Sequence, residues 1–353
     1  MRISARGAVC AAAVGAALFF LACSGASEGE EALRAATATK APSRTPAPLA
    51  TATLEPTPEA TPIPSPEPSP VPPVDTPATQ PTPALDPAGV PVIELLPPDI
   101  GQGECATIRL WGRGAASASA TFAGRLYPLV ADGGYFWGVL ATGAFQEPGV
   151  YPVTVQLFHA SGGLFETLET QINVVDIQYA VENIDLPPES SSLLTPELAQ
   201  QEEAIRANVF ALFTPQKLWS GPFIYPVQAV IVSPYGIGRS YNGGPVTGYH
   251  HGVDLAGNEG DWVAASNSGR VAYAGPSPIR GDTVIIDHGV GVFSCYSHLS
   301  AMNVQAGQMV NKGDLIGAVG STGMVTGPHL HWEIVVRGVE MDPIPWTLQT
   351  IGP

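Results

Sequence analysis

The sequence predicts a mainly β protein with two β-rich regions joined by a short helical stretch. Three observations carry that prediction. Short runs of β-branched and aromatic residues, set apart by Gly, Pro and Asp turns, recur through residues 91–176. One helix signal follows within residues 177–220. From about Trp219 the β pattern returns, now dense in glycine, and continues to the C-terminus.

Residues 1–23 read as an export signal. Arg2 and Arg6 precede "AVCAAAVGAALFFLAC", which is too short and too Ala-rich for a comfortable membrane span. Small Ala22 before Cys23 resembles a bacterial lipobox, with Phe20 where that pattern prefers an aliphatic residue. The resemblance implies a lipidated Cys23, a membrane anchor and an extracytoplasmic location. Ordinary cleavage and an uncleaved anchor are the alternatives.

Residues 24–90 are expected to be an unfolded stalk. Positions 41–90 hold 16 prolines, so the segment cannot bury enough apolar surface to fold and favours extended conformations. Such a stalk would hold the rest of the chain away from a membrane.

Within residues 91–176, Val153, Val155 and Leu157 alternate with Thr154 and Gln156 in "VYPVTVQL". Several such runs at this spacing suggest an immunoglobulin-like β-sandwich. His159 stands alone there, and nothing catalytic accompanies it. The sandwich is expected to serve as a spacer or gate.

In the connector, Thr195 suits an N-cap, Pro196 the first helical position and Glu197 the first turn. Leu198, Ile205, Val209 and Leu212 share one face, which is expected to pack on a neighbouring domain. Residues 221–353 then make an antiparallel β domain of ordinary size.

The net charge of −16 and the 13% charged content argue against binding nucleic acid through a basic surface. Of four cysteines, Cys10 and Cys23 belong to the signal. Cys105 and Cys295 fall in different expected domains and read as small apolar residues rather than a bridge.

Six of the seven histidines lie between positions 250 and 331. "YHHGVDLAG" places His250 four residues before Asp254, with Gly252 between them allowing a close backbone approach. "YSHLS" places His298 near a strand end. "TGPHLHWEIVV" puts His329 and His331 on one face of an apolar strand, where imidazoles need polar partners. Each signal is weak or moderate alone. Together they offer two imidazoles and a carboxylate, the set that holds catalytic zinc while leaving one position for water. His250, Asp254 and one of His329 or His331 would form it, and the other histidine would stand beside the activated water.

"HHGVD", "YSHLS" and "GPHLHWEI", in this order, resemble the lysostaphin/LytM-type zinc endopeptidases that cut peptidoglycan cross-links. The resemblance covers about Gly221 to Trp346 and takes in the Gly-punctuated "AGQMVNKGDLIGAVGSTG". It extends loosely to "SPYGIGR", where Tyr235 replaces a usual Phe and one extra residue precedes Arg239. The resemblance implies a lysostaphin-type antiparallel β peptidase domain. It further implies one zinc ion held by His250, Asp254 and His331, with His329 as general base and His298 orienting water or stabilising the oxyanion.

The expected activity is zinc-dependent hydrolysis of peptide bonds in peptidoglycan. Intact positions argue against the alternative, a non-catalytic wall-binding or hydrolase-regulating protein. A zinc peptidase acting on proteins or dipeptides is a further rival. His251 is expected to be exposed, His288 to be a structural turn residue, and Glu333 to act as a base, to orient a ligand or to be solvated. Tyr249, Tyr235 and Asn242 are candidate groove residues.

Overall fold

The computed structural model describes residues 91–112 and 114–353. The expected signal, the Cys23 lipidation site and the stalk lie outside the described residues. Among the described residues no helix is long and apolar enough to cross a membrane.

The chain is mainly β and mostly antiparallel. The first eight strands are β1 (Val92–Leu96), β2 (Asp99–Gly101), β3 (Cys105–Trp111), β4 (Ser117–Phe122), β5 (Arg125–Asp132), β6 (Tyr135–Ala141), β7 (Gly149–Phe158) and β8 (Leu164–Val175). Their hydrogen-bonded order is β1-β3-β6-β5-β4-β7-β8-β2, antiparallel throughout except for β2 beside β8. The two edge strands β1 and β2 are separated only by Pro97 and Pro98, so the ladder folds back on itself. β5 pairs with β4 through Arg125–Leu129 and with β6 through Val130–Asp132.

The period-2 pattern places Val153, Val155 and Leu157 of β7 fully inside, packed with Ile108, Phe122 and Leu140. Near the start of β7 the Tyr151 hydroxyl donates to the Glu147 carbonyl at 2.7 Å. The strands fall into two runs, β1-β3-β6-β5 and β4-β7-β8-β2.

The stretch 177–220 is more than a helical connector. β9 (Val181–Ile184) follows the first eight strands and pairs in parallel with β11 (Gly238–Tyr241). A short helix, α1 (Pro188–Ser191), follows. α2 (Pro196–Phe210) then begins as its sequence dictates, with Thr195 Oγ1 accepting from the Leu198 N–H at 3.3 Å.

The buried face of α2 departs from the predicted apolar stripe. Glu202, Arg206, Val209 and Phe210 are buried, Leu198 and Ile205 are half-buried, and Leu212 is exposed. Val209 and Phe210 pack on Ile285, Phe293, Cys295 and Val335. The two charged residues find buried partners, described below.

The remaining strands are β10 (Ile231–Ser233), β12 (Val246–Tyr249), β13 (Val253–Ala256), β14 (Trp262–Ala264), β15 (Gly269–Ser277), β16 (Gly281–Gly289), β17 (Val292–Met302), β18 (Met309–Val310), β19 (Leu315–Val319), β20 (His329–Val336) and β21 (Val339–Met341). The main sheet runs β10-β13-β20-β17-β16-β15-β18, with β19 and β21 pairing at its sides. Helix α3 (Ile344–Leu348) ends the fold.

β20 is central, and alternation gives its two faces different tasks. Leu330, Trp332, Ile334 and Val336 are fully buried in the main apolar core. His329, His331, Glu333 and Val335 occupy the other face. That core continues into the sandwich, where Trp137 meets Trp219 edge-on at 5.9 Å between ring centroids. Cys105 and Cys295 are both free thiols.

Candidate metal centre

Strand register builds the centre. Asp254 of β13 lies directly opposite His331 of β20, so both side chains leave the same face of adjacent strands. Ser233 of β10 faces Asp254 from the far side, and Ser297 of β17 faces His331. His250 enters from the loop before β13. Its backbone is fixed by the bonds from its N–H to Ile237 O at 2.8 Å and from Gly236 N–H to its own carbonyl at 2.9 Å. Gly252 makes this approach possible, because a Cβ there would lie 2.2 Å from the Trp332 carbonyl oxygen.

His298 reaches the site through a bulge. Between the pairs Val284–Tyr296 and Asp282–Leu299, β17 carries two residues, Ser297 and His298, where β16 carries only Thr283. His298 takes φ +64°, a conformation that re-aims its side chain toward the site rather than into the core. Its ring centroid sits 4.9 Å from that of His329 and 6.0 Å from that of His331.

Three ligand atoms converge. His250 Nε2 lies 2.9 Å from Asp254 Oδ1, His331 Nδ1 lies 2.8 Å from the same oxygen, and the two ring nitrogens are 3.0 Å apart. Each group is tied from behind. His250 Nδ1 donates to the Pro234 carbonyl at 2.8 Å. His331 Nε2 donates to Glu333 Oε1 at 2.8 Å. Asp254 Oδ2 accepts from Arg239 Nη2 at 3.1 Å. These outer bonds fix which ring nitrogen carries hydrogen and leave one lone pair from each imidazole, with the carboxylate oxygen, aimed at a single point. Converging lone pairs repel unless a positive charge lies between them. Two imidazoles and a carboxylate oxygen so arranged fit a divalent metal ion such as zinc.

Burial and close partners shift the titrating groups of the site in different directions. Burial works against the Asp254 carboxylate, but the adjoining His250 and His331 outweigh it and hold the group well below its ordinary value. Burial, above all, brings His250 down to about 4. Burial also opposes charge on His331, yet the bonds and charges of Asp254 and Glu333 together raise it. His298 is held well below its ordinary value by burial first, then by His329 and His331.

The two further histidines are similarly fixed. His298 Nδ1 donates to Thr322 O at 2.8 Å, and His329 Nδ1 donates to Gly327 O at 2.9 Å. His329 Nε2 then lies 3.7 Å from Asp254 Oδ1. All five predicted residues line one open groove of about 470 Å³.

Other expectations separate. Tyr249 lines the groove, but Tyr235 is buried, with its hydroxyl donating to the Glu340 carbonyl at 2.8 Å. Asn242 instead clamps the connector, accepting from Leu186 N–H and donating to Ser191 Oγ. His251 is half-buried and lies beside Arg280 and Glu340. His288 sits inside β16 rather than in a turn. Glu333 is fully buried and is not solvated.

Arg206, Arg239, Arg280 and Glu202 were not singled out by sequence reasoning. Only Arg239, at the loose end of the "SPYGIGR" match, carried any signal.

Residues 248–343 match the model of peptidase family M23. The C-terminal domain belongs to peptidase family M23. The M23 domain is 45% identical over 89 residues to peptidoglycan DD-endopeptidase ShyA of Vibrio cholerae, covering 25% of this chain and 21% of that one. It is 43% identical over 101 residues to the DD-carboxypeptidase/endopeptidase Mpg of Neisseria meningitidis, covering 29% and 23%. The chain thus spans under a quarter of the length of these curated relatives. A crystal structure from Pseudomonas aeruginosa, assigned to peptidase M23, superposes with TM-score 0.52 and 27% identity. It covers 70% of this chain and 94% of its own, so the likeness reaches beyond the M23 domain itself.

Proposed function

We propose that the chain is a zinc-dependent endopeptidase that hydrolyses peptide bonds of peptidoglycan, in stem peptides or cross-bridges. The observation that carries this reading is the convergence of His250 Nε2, Asp254 Oδ1 and His331 Nδ1 on one point in an open groove, with two further imidazoles facing it. The M23 membership and the peptidoglycan relatives support the substrate class.

A zinc ion held by His250, Asp254 and His331 supplies Lewis acidity for a carbonyl and acidifies water. The remaining work falls to the chain. With Nδ1 committed to Gly327, His329 offers its Nε2 lone pair to the groove and takes the proton of the attacking water. His298 was expected to orient water or to hold the oxyanion, and its geometry favours the first role. Its Nδ1–H is spent on Thr322, and burial disfavours the imidazolium, so Nε2 can accept a bond but has no hydrogen to give an oxyanion. The groove walls orient an extended peptide across these groups.

The same reading places the M23 domain outside the cytoplasm, tethered through Cys23 and the proline-rich stretch. Replacing Cys23 by Ser should then move the protein from the membrane fraction to the soluble one.

Mass spectrometry of wall fragments tests the activity. The zinc-loaded full chain should release new amino termini from purified peptidoglycan but not from casein. Equal release by wild type and His331→Ala would end the enzyme reading, and preferential cleavage of casein would redirect it to a protein substrate.

A further inference from the structure

The same face of β20 that carries His331 continues into a buried network of charges that reaches helix α2. Glu333 is fully buried and receives three bonds. His331 Nε2 donates to its Oε1 at 2.8 Å, Arg280 Nε donates to the same oxygen at 2.7 Å, and Arg206 Nη2 donates to Oε2 at 2.8 Å. The same Arg206 nitrogen donates to Glu340 Oε1 at 2.9 Å. Arg280 Nη1 in turn donates to Glu202 Oε1. Glu202 Oε2 accepts from Ser277 Oγ at 2.8 Å and from the Ile279 N–H at 2.7 Å. Glu202 and Arg206 are one helical turn apart on α2, and both are almost wholly buried.

Stability does not account for this arrangement. Removing several charges from water costs more than their mutual attraction reliably returns, and apolar replacements of similar volume are often neutral or stabilising. The apolar seat of α2 already exists next door, where Val209 and Phe210 meet Phe293 and Val335. The charges are confined to the part of the helix that faces Glu333. What they accomplish locally is to hold the Glu333 carboxylate in place, and among the described residues Glu333 is the partner of the outer nitrogen of His331.

We propose that Glu202 and Arg206 of α2 are positioning residues of the metal centre, acting on His331 through Arg280 and Glu333. The M23 match spans residues 248–343, so Glu333 and Arg280 lie within it while Glu202 and Arg206 lie outside it. The helix and the sheet form one functional unit, and a domain cut at residue 221 would lack part of its own metal site.

This inference rests on the metal centre proposed above, and the test keeps the two apart. Zinc affinity of the full chain is measured by competition with a chromophoric chelator, and the visible spectrum of the cobalt-loaded protein reports ligand geometry. Arg206→Met should weaken zinc binding about 10- to 100-fold, the usual effect of losing such an outer partner, and should alter the cobalt bands. Arg206→Lys should recover most of the affinity, because a single nitrogen makes both contacts of Arg206. Glu202→Gln should weaken binding less, since it acts one bond further away.

Arg206→Met within twofold of wild type, with unchanged cobalt bands, would overturn the proposal even if its melting temperature fell. Should that variant lose the wild-type circular dichroism spectrum, Glu202→Gln decides alone on the same criterion. A wild-type chain that takes up no zinc would instead remove the metal centre itself.

Discussion

His288 and the pair His250 and His331 are all buried in the C-terminal sheet, yet their second ring nitrogens meet opposite kinds of partner. His288 Nδ1 donates to the Ser268 carbonyl at 2.7 Å, and its Nε2 lies 2.7 Å from the Ser294 hydroxyl. Both nitrogens are satisfied by the protein. His250 and His331 have one nitrogen satisfied in the same way, by Pro234 and by Glu333, while the other faces a second imidazole and a shared carboxylate oxygen. Burial is equal in kind at the two places. The partner of the last lone pair separates a histidine that completes a core from one that fits a cation site.

Substitution sharpens that contrast, and the largest effect belongs to the convergent pair. His331→Ala or His250→Ala should abolish stoichiometric zinc uptake and lower kcat/KM on wall fragments by about 10³-fold or more, because the cation's contribution to the transition state goes with it. Retention of full activity in either variant would erase the distinction drawn here. His329→Ala comes next. It should keep zinc yet lose about 10²- to 10⁴-fold in kcat, the range for a lost general base, as read by single-turnover kinetics on a defined muropeptide.

His288 should instead reveal itself through stability and pH. Burial lowers it to about 4 in the folded chain, below its ordinary 6.5, so the unfolded chain binds the extra proton. Stability from this group is therefore complete above pH 6.5 and is lost as pH falls toward 4. Between pH 7 and pH 5 the wild type should lose about 2 kcal/mol more than His288→Gln, from a shift of this size. Chemical denaturation of both proteins at the two pH values gives the difference, and parallel pH profiles would count against a neutral buried imidazole.

A smaller loss is expected when only the partner of His288 is removed. Ser294→Ala should cost about 1–3 kcal/mol of unfolding free energy, because His288 Nε2 and the Tyr296 hydroxyl lose a buried hydrogen-bond partner, with zinc affinity unchanged. Ser233→Ala should do least. Its hydroxyl lies 3.2 Å from His250 Nδ1, but the Pro234 carbonyl holds that nitrogen more closely, so chelator competition should find zinc affinity within about threefold of wild type.

Much of the centre could be seen in the sequence because strand and loop geometry convert spacing into direction. A one-residue gap on a strand puts His329 and His331 on one face, and Gly252 in the His250–Asp254 interval announces a close crossing. The M23 motifs then supply the pairing of segments about 80 positions apart. The charged network was hidden for the opposite reason. Glu202 and Arg206 look like the solvated face of a helix, and their burial depends on Arg280 and Glu333, which no local pattern links to them. The same blindness misassigned Leu212 to the packed face and made Tyr235 and Asn242 groove candidates. In the first domain, alternation revealed the strands of β7, while the β5 ladder change and the β2–β8 parallel pairing arise from long-range closure.

Glu182 and Ile184 of β9, with Leu186 just after it, stand on one bank of the cleft. That bank of the groove is therefore built by a stretch that lies outside the M23 match. A small molecule shaped only to the floor formed by His250, Asp254 and His331 would leave that bank untouched, whereas one that also grips Ile184 and Leu186 would engage residues outside the M23 match.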